Sequence, residues 1–325
     1  MKVLAISIFI LFCTIPLSAQ DKLYNIVVAA DGTGAFTSIQ AAVNSIRDFT
    51  PLAPIKIFIK KGVYHEKLVI PSWKTGIHFI GESRDSTIIT NADFSGKPYP
   101  GNDWMGKDKF NTFNSYTVFL AGDDCRLENI TIENAAGQVG QAVALHVEGD
   151  RCIVSNCRLL GDQDTLYAGR EGSRQYYTNC YIEGTTDFIF GASTVLFNNC
   201  TIHSKKDSYI TAASTTKRQP YGFVFLHCKL TADSSATKVY LGRPWRAYGA
   251  VIFSECWMGA HILPKGWHNW DNAANEQTAR YAEYKNTGPG AGTTERTAWS
   301  QQLSAAAARK LTAANIFGGW DPLER

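Results

Sequence analysis

The chain alternates short apolar runs with polar corners, and the rhythm repeats. Five segments end alike: Ser155-Asn156-Cys157-Arg158-Leu159, Thr178-Asn179-Cys180-Tyr181-Ile182, Asn198-Asn199-Cys200-Thr201-Ile202, Leu226-His227-Cys228-Lys229-Leu230 and Ser254-Glu255-Cys256-Trp257-Met258. A sixth, Glu128-Asn129-Ile130-Thr131-Ile132, carries isoleucine in the cysteine slot. The slot recurs at 130, 157, 180, 200, 228 and 256, in steps of 27, 23, 20, 28 and 28 residues. Val195-Leu196-Phe197 and Phe223-Val224-Phe225 read as strands between these corners. Steps of this size, each holding several short strands, predict an all-β solenoid: a single-stranded parallel β-helix with loops of unequal length leaving one side. In that fold the cysteines stack inside the coil and the asparagines mark a corner. A β-sandwich also has many short strands, but it does not explain the repeated corner.

The ends read as caps. Ser38 to Arg47 has apolar residues at 39, 42, 43 and 46, which is helical spacing, and Ser38 is placed to cap the first turn. A helix here would cover the open N-terminal end of the solenoid. The tail from Thr297, with Ala305 to Ala308, is also predicted helical. Asp31-Gly32-Thr33-Gly34 lacks the GK[ST] of a phosphate loop and reads as a turn.

Residues 1–19 have the form of a signal peptide. Lys2 precedes an apolar run from Val3 to Leu17, and Leu17-Ser18-Ala19 supplies small residues where a signal peptidase cuts. The expectation is a secreted or periplasmic protein with residues 20–325 as a single catalytic domain and no membrane span in the mature chain. Loss of Lys2 lowers the formal charge from +3 to +2, which leaves no electrostatic footprint for nucleic acid. Lys205-Lys206 reads as a solvated turn. Seven of the eight cysteines follow the leader, an odd number that cannot all pair within one chain. Buried thiols used for packing are expected, with one or two disulfides left open.

The repeat also brings carboxylates together. Asp164 follows Cys157 by seven residues, and Asp187 follows Cys180 by seven. They should therefore occupy equivalent places on neighbouring coils, about 4.8 Å apart. Two carboxylates so close repel if both ionise, so one should take a raised pKa while the other stays low. That division suits a general acid beside a nucleophile. Phe188-Ile189-Phe190 after Asp187 should desolvate it. Gln163, beside Asp164, and Gln141, on the preceding coil, could donate to an oxyanion. Two separate surface aspartates would be the bland alternative; the shared register argues against it.

Gly161-Asp162-Gln163-Asp164-Thr165-Leu166-Tyr167, Gly184-Thr185-Thr186-Asp187-Phe188-Ile189-Phe190-Gly191 and Leu241-Gly242-Arg243-Pro244-Trp245 closely resemble the signature blocks of pectin methylesterases. Supporting blocks, in the family's order, begin at Gly62, Thr112, Gln141 and Gly266, and the likeness runs from about Ile26 to Gly292. The resemblance implies a right-handed parallel β-helix and hydrolysis of the C6 methyl esters of homogalacturonan in pectin. It implies Asp187 as nucleophile, Asp164 as acid and then base, Gln141 and Gln163 as oxyanion donors, and Arg243 as the group that keeps Asp187 ionised. Phe113, Tyr167, Trp245 and Trp267 match aromatics of the family's substrate cleft; Trp270 is a weaker match. No metal or other cofactor is expected, and a monomer should suffice. Residues 97–110 depart from the pattern as an insertion near the cleft, where Asp103 or Trp104 could alter substrate choice.

Rival readings share the scaffold. Pectate lyases need calcium held by acidic clusters, and polygalacturonases cut the glycosidic bond with carboxylates. The blocks above fit neither well. An esterase or thioesterase acting on another substrate stays open, as does a wall-binding member without activity, although both aspartates are present.

Overall fold

The computed structural model describes residues 25–49 and 54–323; the leader-like stretch lies outside them. The described strands form three sheets of 11, 7 and 8 strands, with every strand pair inside them parallel. Each full coil gives one strand to each sheet. Arg174–Thr178 lies in the 11-stranded sheet, Tyr181–Gly184 in the 8-stranded sheet and Ile189–Gly191 in the 7-stranded sheet. The result is the expected right-handed parallel β-helix.

The repeated corner has a backbone cause. Asn129, Asn156, Asn179, Asn199, His227 and Glu255 all adopt positive φ, between 49° and 57°. Asparagine tolerates this left-handed conformation best among residues with a Cβ. One residue later the chain turns its side chain inward, which is the cysteine slot. Cys157, Cys180, Cys200, Cys228 and Cys256 are all buried there with reduced thiols. Cys125 and Cys152 are likewise reduced and buried, so the disulfides left open by the sequence do not form. Thiols here fill space and make weak contacts to carbonyls one coil back, as from Cys180 Sγ to Val154 O at 3.4 Å. A second ladder, Phe197–Phe225–Phe253, stacks at centroid spacings of 4.4 and 4.3 Å.

The helix Ile39–Ser45 forms as predicted, and the Ser38 side chain accepts from Ala41 N. Ile39, Ala42 and Val43 are its buried residues. The C-terminal tail is helical as predicted, in two single turns, Ala305–Ala308 and Ala313–Ile316. Its place differs: rather than capping an end, it packs Leu311, Ile316 and Phe317 on Tyr176, Leu196 and Val224 of the 11-stranded sheet and covers that apolar face. Among the described residues, no helix is long and apolar enough to cross a membrane.

Candidate active site

The site lies on the outside of the seven-stranded sheet, just after the corner where the chain leaves the eight-stranded one. Asp164 precedes the strand Leu166–Ala168 and Asp187 precedes Ile189–Gly191, which pair with Leu166 opposite Ile189. The aspartates are thus in register on adjacent coils. Both backbones take positive φ, 69° and 49°. The corner is too tight for a side chain at Gly184, where a Cβ would sit 2.2 Å from Phe188 Cβ. Thr165 Oγ1 closes the turn by donating to Glu183 O at 2.8 Å. Lys205 is not merely a solvated turn residue: its Nζ lies 3.0 Å from Asp162 Oδ1 and donates to Gly161 O, bracing the same corner.

Arg243 reaches Asp187 from two coils further on. Its strand, Tyr240–Pro244, pairs Arg243 with Ala212, which in turn pairs with Phe190. Nε donates to Asp187 Oδ1 at 3.0 Å and Nη2 to Oδ2 at 2.7 Å, a bidentate clamp. The guanidinium is held between the rings of Tyr209 and Trp270, 3.9 and 3.7 Å from their centroids. Such stacking fixes the plane of the fork and reduces competing hydration.

The electrostatics separate the two acids. Burial pushes the Asp164 carboxyl up to about 8, and the neighbouring Asp187 charge adds to the rise. Asp187 differs from the expectation that it stays low: burial raises it too, against the hydrogen bonds and charge of Arg243. The clamp's hydrogen bonds belong to Asp187 alone, so burial of Asp187 is opposed by a bidentate cation while Asp164 has no such bond.

Gln141, Gln163, Asp164, Asp187 and Arg243 line one cleft of about 310 Å³ with Phe113 and Trp245. Gln141 and Gln163 form a parallel bridge on adjacent coils, and the Gln141 carbonyl accepts from Ser95 N at the base of the inserted segment. Tyr167 sits one strand along the floor, stacked on Phe190 at 4.6 Å and touching the Phe113 ring at 5.2 Å. Trp267 does not join them. It is 1% exposed, packs on Tyr281 at 4.6 Å and donates from Nε1 to Glu283 Oε1. A ring with no free face cannot stack on a sugar, so its matching position is corrected to a core role. Trp270, three residues on, lines the cleft instead. The sequence motif held both tryptophans; only the turn at Trp270 and Asp271, both at positive φ, decides which one faces out. Phe190, Ala212 and Thr112 also line the cleft and were not singled out from the sequence. Alternation would have placed Phe190 with Phe188, yet Phe188 and Ile189 both point into the core; it is the register opposite Tyr167 that turns Phe190 outward.

In the inserted segment, Asp103 is buried and accepts from Met105 N and Lys107 N, while Trp104 is 92% exposed. Asp103 therefore shapes its own loop. Among the described residues, no group of three or more His, Cys, Asp or Glu side chains is arranged to hold a metal.

A buried, arginine-clamped carboxylate beside a second buried one, with two glutamines lining the same cleft, is an arrangement suited to hydrolysis on a β-helix. A family model described as Pectinesterase matches residues 25–319. Pectinesterase 31 of Arabidopsis thaliana is 40% identical over 280 residues, spanning 85% of this chain and 86% of that one. The pectin methylesterase from carrot superposes with a TM-score of 0.82 at 34% identity, covering 91% of this chain and 93% of that one. Pectin methylesterase PemA from Erwinia chrysanthemi gives a TM-score of 0.79 at 31% identity, covering 92% and 98%. The chain belongs to the pectinesterase family, which are carboxylic ester hydrolases.

Proposed function

We propose that this chain removes C6 methyl esters from homogalacturonan through a covalent aspartyl intermediate. The observation that carries the reading is the unequal pair: Asp187 clamped by Arg243 beside Asp164 with its pKa raised to about 8. Asp187 attacks the ester carbonyl carbon. The Gln141 and Gln163 side-chain amides donate to the oxygen that becomes negative. As the tetrahedral species collapses, Asp164 gives its proton to the departing methoxide, and methanol leaves. The resulting acyl-enzyme is an anhydride of Asp187 and the galacturonate carboxyl. Asp164, now ionised, takes a proton from water, which attacks the anhydride and restores both acids. The pairing with Arg243 also makes Asp187 a stable leaving group in that last step.

Phe113, Tyr167 and Trp245, with Trp270, offer aromatic faces to sugar rings across the cleft. A solenoid of one chain supplies every group, so a monomer is the working state proposed. Export to the periplasm or beyond, after cleavage near Ala19, fits a polymer substrate too large to enter a cell. The reading is tested by methanol release from highly methylated pectin in the presence of chelator. Wild type should release methanol without shortening the polymer, and Asp187→Ala should not. No methanol from wild type would overturn the substrate assignment. An active Asp187→Ala would overturn the nucleophile.

A further inference from the structure

The outward row of the seven-stranded sheet runs Phe119, His146, Tyr167, Phe190, Ala212, Arg243. His146 in this row has two hydrogen-bonding ring nitrogens that the reaction does not use, and it is 4% exposed. We propose that His146, braced by Glu148, is a positioning residue that pins the Phe113 turn as the wall of the substrate cleft.

The argument rests on what each ring nitrogen faces. Nδ1 lies 3.2 Å from the Phe113 carbonyl oxygen, and Nε2 lies 3.1 Å from Glu148 Oε1. The Phe113 carbonyl can only accept, so Nδ1 is the donor of that bond. Glu148 braces the far side of the ring, and its bond to His146 leads the causes holding its carboxyl below the ordinary value, against desolvation. The ring's other neighbours are aromatic: Phe119 and Tyr167 at 4.6 Å and Tyr116 at 5.8 Å. These rings pack around the imidazole and hold its plane.

What is pinned matters for binding. Phe113 sits in the short turn Thr112–Asn114, is 45% exposed and lines the cleft. Lys67 holds the Asn114 carbonyl at 2.6 Å, and His146 holds the Phe113 carbonyl beside it. Losing the second tie frees the Phe113 ring to leave Tyr167 without disturbing Asp164, Asp187 or Arg243. The effect should therefore fall on binding and not on the chemical step.

This inference rests on the esterase reading, so its test separates binding from chemistry. A fully methylated oligogalacturonide is titrated calorimetrically into Asp187→Ala, alone and combined with His146→Phe or Glu148→Gln. Methanol release is measured in parallel on the singly substituted chains. His146→Phe should weaken binding about fivefold, the worth of one net hydrogen bond, and raise KM alike with kcat within about twofold. Glu148→Gln, whose amide can still bond to the ring, should bind comparably. Unchanged binding in His146→Phe, or a fall in its kcat in place of the rise in KM, overturns the clamp while the esterase reading stands. Absence of oligogalacturonide binding by the parent overturns both.

Discussion

Replacing Asp164 with asparagine keeps the side chain's shape and removes its ionisation. In the folded chain Asp164 has its pKa raised from 3.8 to about 8. An acid raised by folding binds its proton more tightly in the native state than in the unfolded one. Its contribution to stability is full below about pH 4 and is lost as pH climbs towards about 8. Each pH unit in that window costs the wild-type fold about 1.4 kcal/mol, so about 4 kcal/mol has accrued by neutral pH. Asp164→Asn does not titrate and escapes the loss. Urea unfolding followed by circular dichroism, at about pH 4 and about pH 7, should show the stability of the variant relative to wild type rising by several kcal/mol. The comparison is a difference of differences, so any fixed effect of the new amide cancels. The same substitution should abolish most methanol release, because no proton reaches the leaving methoxide. A relative stability that stays flat with pH would mean that Asp164 holds no extra proton in the fold. The general-acid assignment would then fall with it.

Other outcomes follow from the same geometry. Arg243→Lys trades a bidentate fork for a point charge, and kcat should drop by about 10² or more, with the acid limb of the pH profile moving up because the group opposing the rise at Asp187 is weakened. Gln141→Ala and Gln163→Ala should each lower kcat about 10²-fold with little change in KM, as expected for donors engaged in the transition state. The two tryptophans should separate cleanly in a paired comparison of KM and thermal unfolding. Trp267→Ala should cost about 3–5 kcal/mol of stability, while Trp270→Ala should spare the fold and damage kcat/KM by freeing one face of Arg243.

Much of this was legible because the solenoid writes its structure as a repeat. The residue before each cysteine slot must take positive φ, so asparagine recurs there, and counting seven residues on from Cys157 and Cys180 finds the two aspartates of the cleft. Arg243 was not reachable by that count: its distance from Asp187 spans two unequal coils, and only the Gly-Arg-Pro-Trp resemblance selected it. Facing direction in irregular loops was the weaker inference. Trp267 and Trp270 share one motif, and the local turn that points one inward and the other at Arg243 leaves no hydrophobic period to read. The placement of the C-terminal tail was hidden for a related reason: its alanines signal the helical turns that form, but what they cover is set by the apolar outer face of a sheet assembled from distant coils. The pKa of Asp187 depends on a balance of burial against Arg243, and sequence can name both terms without weighing them.

The buried thiols give the molecule an internal set of reporters. Cys125, Cys152, Cys157, Cys180, Cys200 and Cys228 have pKa values pushed up by burial, Cys125 to about 12, so in the closed coil they are neither accessible nor nucleophilic. Each lies at a known height along the axis. A brief pulse of alkylating reagent during unfolding would therefore mark only those rungs already open, and peptide mapping would read out the order in which they open. A solenoid whose rungs contact mainly their neighbours need not open everywhere at once. The column that packs the interior would thus time-stamp whether the fold unzips from an end or first gives way beside the corner that carries Asp164 and Asp187.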